Sequence, residues 1–548
     1  MIRFFKKNLL IVLFIFFLLS LILLTYRDYG IAWDEKVFFN GGKYYTKQLL
    51  HFLNIKTNLD TTWYEVNIVP YPYHEMNHGF VFDIAVFLIG SFFPRFNFEV
   101  LHLIRALFAI PIFYLTYWMV KKLLNQWYAA LTFIFLILFP RFYPDIFYNA
   151  VDIPTVLIFT VAIAYFLYYS ETKKTVLKSI LFGLILGVMM NQRLLLFYIP
   201  ILNFIFLFFL QKKNLKMFLL HQFLIFNFSL LTLHLTHPYL LAHPISGLFD
   251  ILRSARQYPW NAAVLFDGQW FQAGVNPLPW YYLPKSMLIT IPPVTLLLFF
   301  LGTIGIVTTL FRPRHSGNHQ SRPKDNPPLA ETIDNWQLTY IVSVFFLPFI
   351  LVFLLKPTLY DSWRHFMFLT IPMIIIAIYG LQWTVEGGGL RVEKNLSSTF
   401  YLRNLLSTFY HLPSLLIILL LILSLSSTAY QMFRLHPYEY LYYNSLVGGL
   451  KGAYGKYETD YWGLGYKEAV LWFNKNINDP KKTYRIFVEG DSFASTYYFK
   501  SNMKLVTDVN EADYIFTFTR WDFHKRHPGK TIYTVKRENV PLIFIKKL

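Results

Sequence analysis

Four acidic residues of this chain lie where a carboxylate could act on a substrate. Asp34 and Glu35 follow the first apolar run, in YGIAWDEKVFF, and Asp145 and Asp152 lie between two later runs, in RFYPDIFYNAVDIP. A carboxylate at a membrane surface can accept the proton of an acceptor hydroxyl, or hold a divalent cation against a phosphate. Asp34 also has a structural interpretation as a helix N-cap. The same interpretation applies to Asp152, because Pro154 suits the first turn of a helix that begins there.

A basic pair, Arg364 and His365, lies at the start of a late apolar run, in YDSWRHFMFLTIP. Arginine offers a fixed fork of donors that matches the oxygens of a phosphate. The alternative is an interfacial anchor, because a long cationic side chain at the end of a span can reach the lipid head groups. The pair is therefore a candidate for binding phosphate at the membrane surface.

The run HEMNH, with His74, Glu75 and His78, has the spacing of the zinc-peptidase signature. That chemistry needs both histidines on one face of a helix. Two prolines shortly before the run and Gly79 directly after it disfavour such a helix. We favour a polar loop, or a loop that contributes to a sugar or metal site, over a zinc peptidase.

The composition indicates a protein that lies mostly in lipid. Of 548 residues, 55% are hydrophobic and only 15% are charged, whereas soluble domains carry about 25% charged residues. The net charge of +19 would suggest nucleic acid in a soluble protein. Here the basic residues collect in loops, without a basic face interleaved with aromatic residues, so we expect no nucleic-acid partner. The absence of cysteine excludes disulfides and thiolate-bound metals.

Apolar runs of spanning length predict eleven transmembrane helices. The first run follows three basic residues but has no small-residue cleavage site, so we expect an uncleaved span. The middles of the runs are nearly free of charge, which argues against an ion-coupled transporter. The predicted spans lie near 9–26, 101–120, 126–142, 152–169, 178–192, 195–210, 217–235, 287–311, 336–356, 365–384 and 412–430.

The loops predict the orientation of these spans. Clusters of Lys and Arg fall in every second connection, including the polar loop at 312–335, and such clusters mark the cytoplasmic side. The N-terminus is then inside, and an odd number of spans places the C-terminus outside. Large outer loops are expected at 27–100, with an amphipathic interfacial stretch at 80–93, and at 236–284.

The chain is predicted to have two parts: a membrane domain over 1–430 and an outer α/β domain over 431–548. The tail carries a helical pattern at 466–476. Strand patterns follow at 484–488, 512–519 and 540–545. The expected fold class is an α-helical polytopic membrane protein with a small C-terminal extracytoplasmic α/β domain.

Together these features resemble the GT-C superfamily of membrane glycosyltransferases. The shared features are an Asp-Glu pair beside Trp33 in the first loop, Asp152 ahead of Pro154 at the head of a span, and many spans followed by an outer domain. Further phrases resemble its bacterial family-39-like branch, which is related to protein O-mannosyltransferases and the lipid A aminoarabinose transferase. These phrases are NPLPWYYLPKSMLITIPP, YDSWRHFMFLTIP, HPYEYLYYNSLVGG and YETDYWGLGYKEAVLW.

The resemblance implies transfer of one sugar from a polyprenyl-phosphate-linked donor to a protein, lipid or glycan acceptor outside the cytoplasmic (inner) membrane, by an inverting mechanism. It matches Asp34 to the catalytic base, with Glu35 beside it. It matches Asp152, near Asp145, to an acid that positions the donor or binds a divalent metal ion.

Arg364 and His365 match a basic pair suited to the donor phosphate. Relatives often have Lys where Val151 stands, so we expect no phosphate contact from that position. The alternatives are a transporter or flippase of lipid-linked sugars, and a non-catalytic membrane scaffold.

The orientation can be tested by labelling single cysteines, since the chain has none of its own. Cysteine replaces Lys500 in one variant and Gln320 in another, and intact cells are treated with a membrane-impermeant thiol reagent. We expect labelling at 500 and none at 320 until the membrane is opened. The reverse pattern would invert the topology and place the candidate residues on the cytoplasmic side.

Overall fold

The computed structural model of the chain describes residues 2–56, 78–211, 214–256, 262–272, 275–310, 335–385 and 414–548. His74, Glu75 and almost all of the predicted cytoplasmic loop at 312–335 lie outside these ranges.

Apolar helices coincide with all eleven predicted spans. Among the described residues, seven helices are long and apolar enough to cross a membrane: Phe98–Leu123, Asp152–Glu171, Leu194–Gln211, Leu215–Thr236, Trp336–Leu355, Arg364–Val385 and Leu416–Leu435. Shorter apolar helices occupy the other four predicted positions: Leu9–Thr25, Gln126–Ile137, Val176–Gln192 and Pro293–Thr309. The predicted fold class is confirmed, and the chain is a multi-pass membrane protein.

The two large predicted outer loops, at 27–100 and 236–284, contain structure that the sequence indicated only in part. The amphipathic stretch is the helix Val81–Gly90, and it packs against a longer helix, Glu35–Phe52, that directly follows Asp34. The loop at 236–284 contains short helices at Pro238–Ala242 and Ser246–Arg256 and a hairpin of β1 (Ala263–Phe266) and β2 (Gln269–Gln272).

The other helices are short or belong to the outer domain. They are Asp145–Tyr148, Tyr282–Thr290, Gly449–Ala453, Tyr466–Asn476, Phe493–Thr496 and Phe523–Arg526, with 3-10 turns at Leu194–Phe197, Arg364–Leu369, Glu439–Leu441, Ser445–Val447, Val509–Glu511 and Arg520–Asp522.

The C-terminal domain, which the sequence predicts to lie outside and which we call the outer domain, contains a five-stranded mixed sheet. Its strands are β3 (Tyr484–Val488), β4 (Met503–Val506), β5 (Tyr514–Phe518), β6 (Lys530–Arg537) and β7 (Val540–Lys547). Their order in the sheet is β4-β3-β5-β7-β6. The three predicted strands are the inner three, which bury continuous or alternating apolar residues. The two strands that the sequence did not predict, β4 and β6, are the sheet edges and are largely solvent-facing, so their polar residues hide the strand pattern.

The helix that begins at Arg364 lies at the centre of the bundle. It is the most deeply buried of the seven spans, and it packs tightly on the helix Pro293–Leu310. Glycines permit that contact: a Cβ at Gly302 would lie 2.0 Å from the carbonyl oxygen of Ile376, and one at Gly380 would lie 2.1 Å from that of Leu298. Small residues allow helix backbones to approach closely in lipid, so this packing fixes the position of Arg364.

Gly380→Ala is therefore expected to destabilise the membrane domain. The added methyl group meets backbone atoms rather than a flexible side chain, so the two helices must separate, at a cost of about 1–3 kcal/mol. A lower melting temperature of the purified protein would show this effect. Gly302→Ala strains the same interface, so the double variant should lose less than the sum of the single losses. An unchanged melting temperature in both single variants would contradict the close packing.

Candidate functional site

Asp34 does not act as a helix cap through its side chain. It occupies the residue before the helix Glu35–Phe52, but its backbone is already helical, with φ −82° and ψ −16°, and its side chain makes no capping hydrogen bond. Its Oδ2 instead accepts a hydrogen bond of 3.1 Å from Nη1 of Arg364. The Asp34 side chain remains 40% exposed, which leaves a carboxylate that a substrate could reach.

Arg364 joins two carboxylates at the outer end of the central span. Its Nη2 lies 3.1 Å from Oδ2 of Asp361, and its guanidinium lies over the ring of Trp462, 4.6 Å from the centroid. Only 9% of the side chain is exposed. This burial and the double ion pair fit a site residue better than an anchor that reaches the head groups.

Glu35 has a different environment, although it adjoins Asp34 in the chain. Its carboxylate is fully buried and accepts hydrogen bonds from Arg105 at 2.6 Å and from the backbone N–H of Ala32 at 2.8 Å. Nε2 of His102 lies 3.0 Å away. These contacts tie the first loop to the helix Phe98–Leu107, so the geometry favours a structural role for Glu35.

The second outer turn is organised by Asn149. Its Nδ2 donates to Asp145 at 2.7 Å and to Asp152 at 2.9 Å, while its Oδ1 accepts from the backbone N–H of Asp152 at 2.9 Å. Asn149 thus satisfies the free N–H at the start of the helix Asp152–Glu171, so Asp152 is not the cap. The second carboxylate oxygen of Asp152 is bound by Arg193. Burial raises the pKa of Asp145 to about 7, against the opposing hydrogen bonds of Asn149 and Tyr148.

The two histidines near these acids come from distant parts of the chain. The His365 ring packs edge-on against Tyr360, with centroids 4.5 Å apart, and it lies within electrostatic range of Arg193, Arg364 and His78. His78 is the one member of the HEMNH trio that the structure describes, and its Nδ1 is 3.5 Å from the carbonyl oxygen of Gln192.

The structure thus brings together most of the residues that the sequence singled out. Asp34 pairs directly with Arg364, and Asp152 lies within electrostatic range of the same guanidinium. Asp145 joins Asp152 through Asn149. Glu35 is turned away into its own buried cluster. The catalytic and binding roles assigned to these residues remain predictions.

The outer domain adds residues that sequence reasoning missed. Arg520 donates from Nη2 to Asp361 at 2.5 Å and from Nη1 to the carbonyl oxygen of Tyr461 at 2.8 Å. Charges therefore alternate from Asp34 through Arg364 and Asp361 to Arg520. Asp361 could have been found, because it lies three residues before Arg364 in the phrase that carries the resemblance. Arg520 had no such signal, since it follows a strand of the tail.

A buried carboxyl group, Glu458, lies at the end of this series. One of its oxygens is 3.9 Å from Nε of Arg520, and neither oxygen has a hydrogen-bond partner. Burial raises the pKa of Glu458 to about 8, although Arg520 opposes the shift. Near neutral pH the cluster therefore carries less negative charge than its count of carboxyl groups suggests.

Metal ligands are not evident in the part of the chain that the structure describes. No three His, Asp or Glu residues are grouped there as they would be around an ion. The acid proposed from the sequence as a metal ligand, Asp152, is instead paired with Arg193.

The family model described as dolichyl-phosphate-mannose-protein mannosyltransferase matches residues 77–240. That segment contains His78, Asp145, Asp152 and Arg193. The match confirms the predicted resemblance to GT-C glycosyltransferases and the predicted enzyme class. It gives no support to the transporter or the scaffold. No curated protein sequence matches the chain.

Solved structures with a similar arrangement include two membrane proteins of low sequence identity. ArnT from Cupriavidus metallidurans, bound to undecaprenyl phosphate, is 11% identical, with 98% of each chain covered and a TM-score of 0.49. The oligosaccharyltransferase AglB from Archaeoglobus fulgidus, in complex with an inhibitory peptide and a dolichol phosphate, is 13% identical. The match covers 94% of this chain and 70% of AglB, with a TM-score of 0.44. Both overlap with this chain only loosely, so neither places a ligand in it.

Loss of charge at the two adjacent acids should affect the stability of the protein to different extents. Glu35→Gln leaves Arg105 buried without its counterion, which typically costs about 3–5 kcal/mol. Asp34→Asn removes a partly exposed carboxylate and leaves Arg364 its ion pair with Asp361, so it should change stability by at most about 1 kcal/mol. Melting temperatures of both purified variants, compared with the unaltered protein, test this contrast. Equal melting temperatures for the two would contradict the structural role of Glu35.

Proposed function

We propose that this GT-C glycosyltransferase transfers one sugar from a polyprenyl-phosphate-linked donor to an acceptor hydroxyl outside the cytoplasmic membrane, with inversion. The observation that carries the proposal is the 3.1 Å pair between Asp34 and Arg364. It places a carboxylate able to accept a proton beside a cation able to hold a phosphate. The description of the matched family names a lipid phosphate sugar, dolichyl phosphate mannose, and so supports a lipid-linked donor.

Binding of the donor would release the base. In the resting protein the two Nη atoms of Arg364 are engaged by Asp34 and Asp361. A donor phosphate competes with Asp34 for Nη1, because charge-assisted bonds to phosphate are strong and the Asp361 side is more deeply buried. The freed Asp34 carboxylate then accepts the proton of the acceptor hydroxyl as that oxygen attacks the sugar.

The departing lipid phosphate gains negative charge as the sugar bond breaks. Arg364 would stabilise that charge, since it sits in a buried site where electrostatic interactions are stronger than in water. Arg520 holds Asp361 on the other side of Arg364 and so keeps the guanidinium oriented toward the site.

We propose that Arg193, rather than a divalent cation, neutralises Asp152 in the resting enzyme. A metal ion at Asp152 would have to displace this ion pair. Asp152 and Asp145 would then shape the donor pocket through the hydrogen bonds of Asn149.

The arrangement also supports the proposed location of the tail outside the inner membrane, with the N-terminus in the cytoplasm. Arg520 of the tail contacts Asp361 at the outer end of the central span, and Asp491 pairs with Lys36 of the first loop at 2.7 Å. The tail therefore lies on the same face of the membrane as Asp34. Hydroxyl-bearing acceptors on that face include proteins, lipids and cell-wall glycans.

Asp34→Asn should keep the fold but reduce turnover by about 10²-fold or more, the usual scale of positioned acid–base catalysis. Initial rates of sugar transfer, measured with purified protein in lipid nanodiscs and a polyprenyl-phosphate sugar, give the result. The matched control is Asp28→Asn, which removes a half-exposed carboxylate of the same loop that pairs with His436. This control should transfer sugar at close to the unaltered rate.

Arg364→Ala provides the complementary comparison, because it should weaken donor binding and slow transfer together. Transfer at close to the unaltered rate by Asp34→Asn would remove the base from the mechanism. Asp152 would then be the next carboxylate to substitute.

A further inference from the structure

Arg141 is a buried arginine that the proposed mechanism does not use. It lies in the turn after the helix Gln126–Ile137, with 3% of its surface exposed. Nη1 donates to the hydroxyl of Tyr461 at 3.2 Å. The guanidinium lies 5.1 Å from the ring centroid of Tyr443 and 5.8 Å from that of Tyr461. These contacts fix the plane and direction of the side chain.

One edge of this guanidinium is unfilled. Nε and Nη2 of Arg141 have no partner with hydrogen-bond geometry, although the Tyr443 hydroxyl lies close enough to interact with the guanidinium. No carboxylate lies within ion-pair distance of Arg141 in the described ranges. Among the described residues, Arg105 is buried as deeply as Arg141, but it is paired with Glu35 at 2.6 Å. Nε and Nη2 form an edge of the guanidinium that can bind a carboxylate or phosphate with two parallel bonds. A buried cation without a counterion is unfavourable, so this edge is suited to an anion supplied by a ligand.

Arg141 lies beside the site already described. Tyr461, which holds its Nη1, also accepts a hydrogen bond from Arg520 through its carbonyl oxygen. The next residue, Trp462, lies under the guanidinium of Arg364. A single segment of the outer domain therefore contacts all three arginines.

Arg141 differs from these two neighbours in having no carboxylate at ion-pair distance among the described residues. Arg364 is shared by Asp34 and Asp361, and Arg520 is bound to Asp361. Glu458 interacts electrostatically with Arg141, but burial raises the pKa of Glu458 and so favours its neutral form. A neutral carboxyl can donate a hydrogen bond to an anion rather than compete with it for Arg141.

We propose that the Nε–Nη2 edge of Arg141 binds a phosphate oxyanion of the substrate. The inference rests on the proposed function, since it assigns a further phosphate-binding residue to the same enzyme. The same chemistry could come from the phosphate of the lipid carrier or from free phosphate. The two sources can be distinguished by experiment.

The test compares the melting temperature of purified protein in nanodiscs with and without undecaprenyl phosphate, and separately with inorganic phosphate. Arg141→Gln removes the cation and its fork, whereas Arg141→Lys keeps the charge without the fork. Arg434→Gln is the matched control, because Arg434 is half-exposed and its ion pair with Glu538 is 3.7 Å long.

We expect Arg141→Gln without ligand to melt at or above the unaltered protein, because an unpaired buried cation has been removed. Its Kd for undecaprenyl phosphate should rise about tenfold or more. The Kd of Arg141→Lys should fall between those of Arg141→Gln and the unaltered protein, and the Kd of Arg434→Gln should match that of the unaltered protein. A shift with inorganic phosphate that depends on Arg141 assigns the site to the phosphate group itself. A shift with the lipid alone assigns it to the lipid carrier.

A purely structural Arg141 gives the opposite result: Arg141→Gln melts lower without ligand and keeps the same Kd. That outcome overturns the inference and leaves the proposed function intact. An unaltered protein that binds neither phosphate overturns both. If Arg141→Gln does not fold, Arg141→Lys carries the test, and an unchanged Kd in that variant also overturns the inference.

Discussion

The arrangement of the site depends on one cation, Arg364, held between two carboxylates at the outer end of the most deeply buried helix. Glycine contacts hold the backbone of that helix closely against a neighbouring span. The cation therefore has a fixed position, and the first loop and the outer domain are attached to it: Asp34 from one side, and Arg520 through Asp361 from the other.

A second group of contacts keeps the loop and the outer domain in place without touching the proposed chemistry. Glu35 ties the first loop to the helix that carries Arg105. Lys36 binds Asp491 of the outer domain. These contacts of Glu35 and Lys36 hold the backbone next to Asp34, so that the Asp34 carboxylate faces Arg364. Three consecutive residues thus make contacts in three directions: Asp34 faces the site, Glu35 the protein interior and Lys36 the outer domain.

The surroundings of the site favour an anionic ligand. Burial raises the pKa values of Asp145 and Glu458 to about 7 and about 8, which reduces the negative charge around the arginines near neutral pH. In a buried site an unmatched cation attracts a phosphate more strongly than it would in water. The reduced negative charge favours the proposed roles of Arg364 and Arg141, and these roles agree with the description of the matched family, which names a lipid phosphate sugar.

The sequence by itself determined the eleven apolar helices, the three inner strands of the outer domain and the identity of most candidate acids. Apolar periodicity and local chain order are sufficient for these features, since each is specified within about 20 neighbouring residues. The edge strands β4 and β6 were not predicted from the sequence, because solvent-facing residues show no apolar pattern that indicates a strand. Only the tertiary structure decided that Asp34 faces Arg364 while Glu35 is buried. It also decided that Asn149 rather than Asp152 caps its helix, that Arg520 pairs with Asp361, and that Arg141 contacts Tyr461. Those outcomes depend on contacts between residues up to hundreds of positions apart, and no local pattern encodes the distance between two charges that folding brings together.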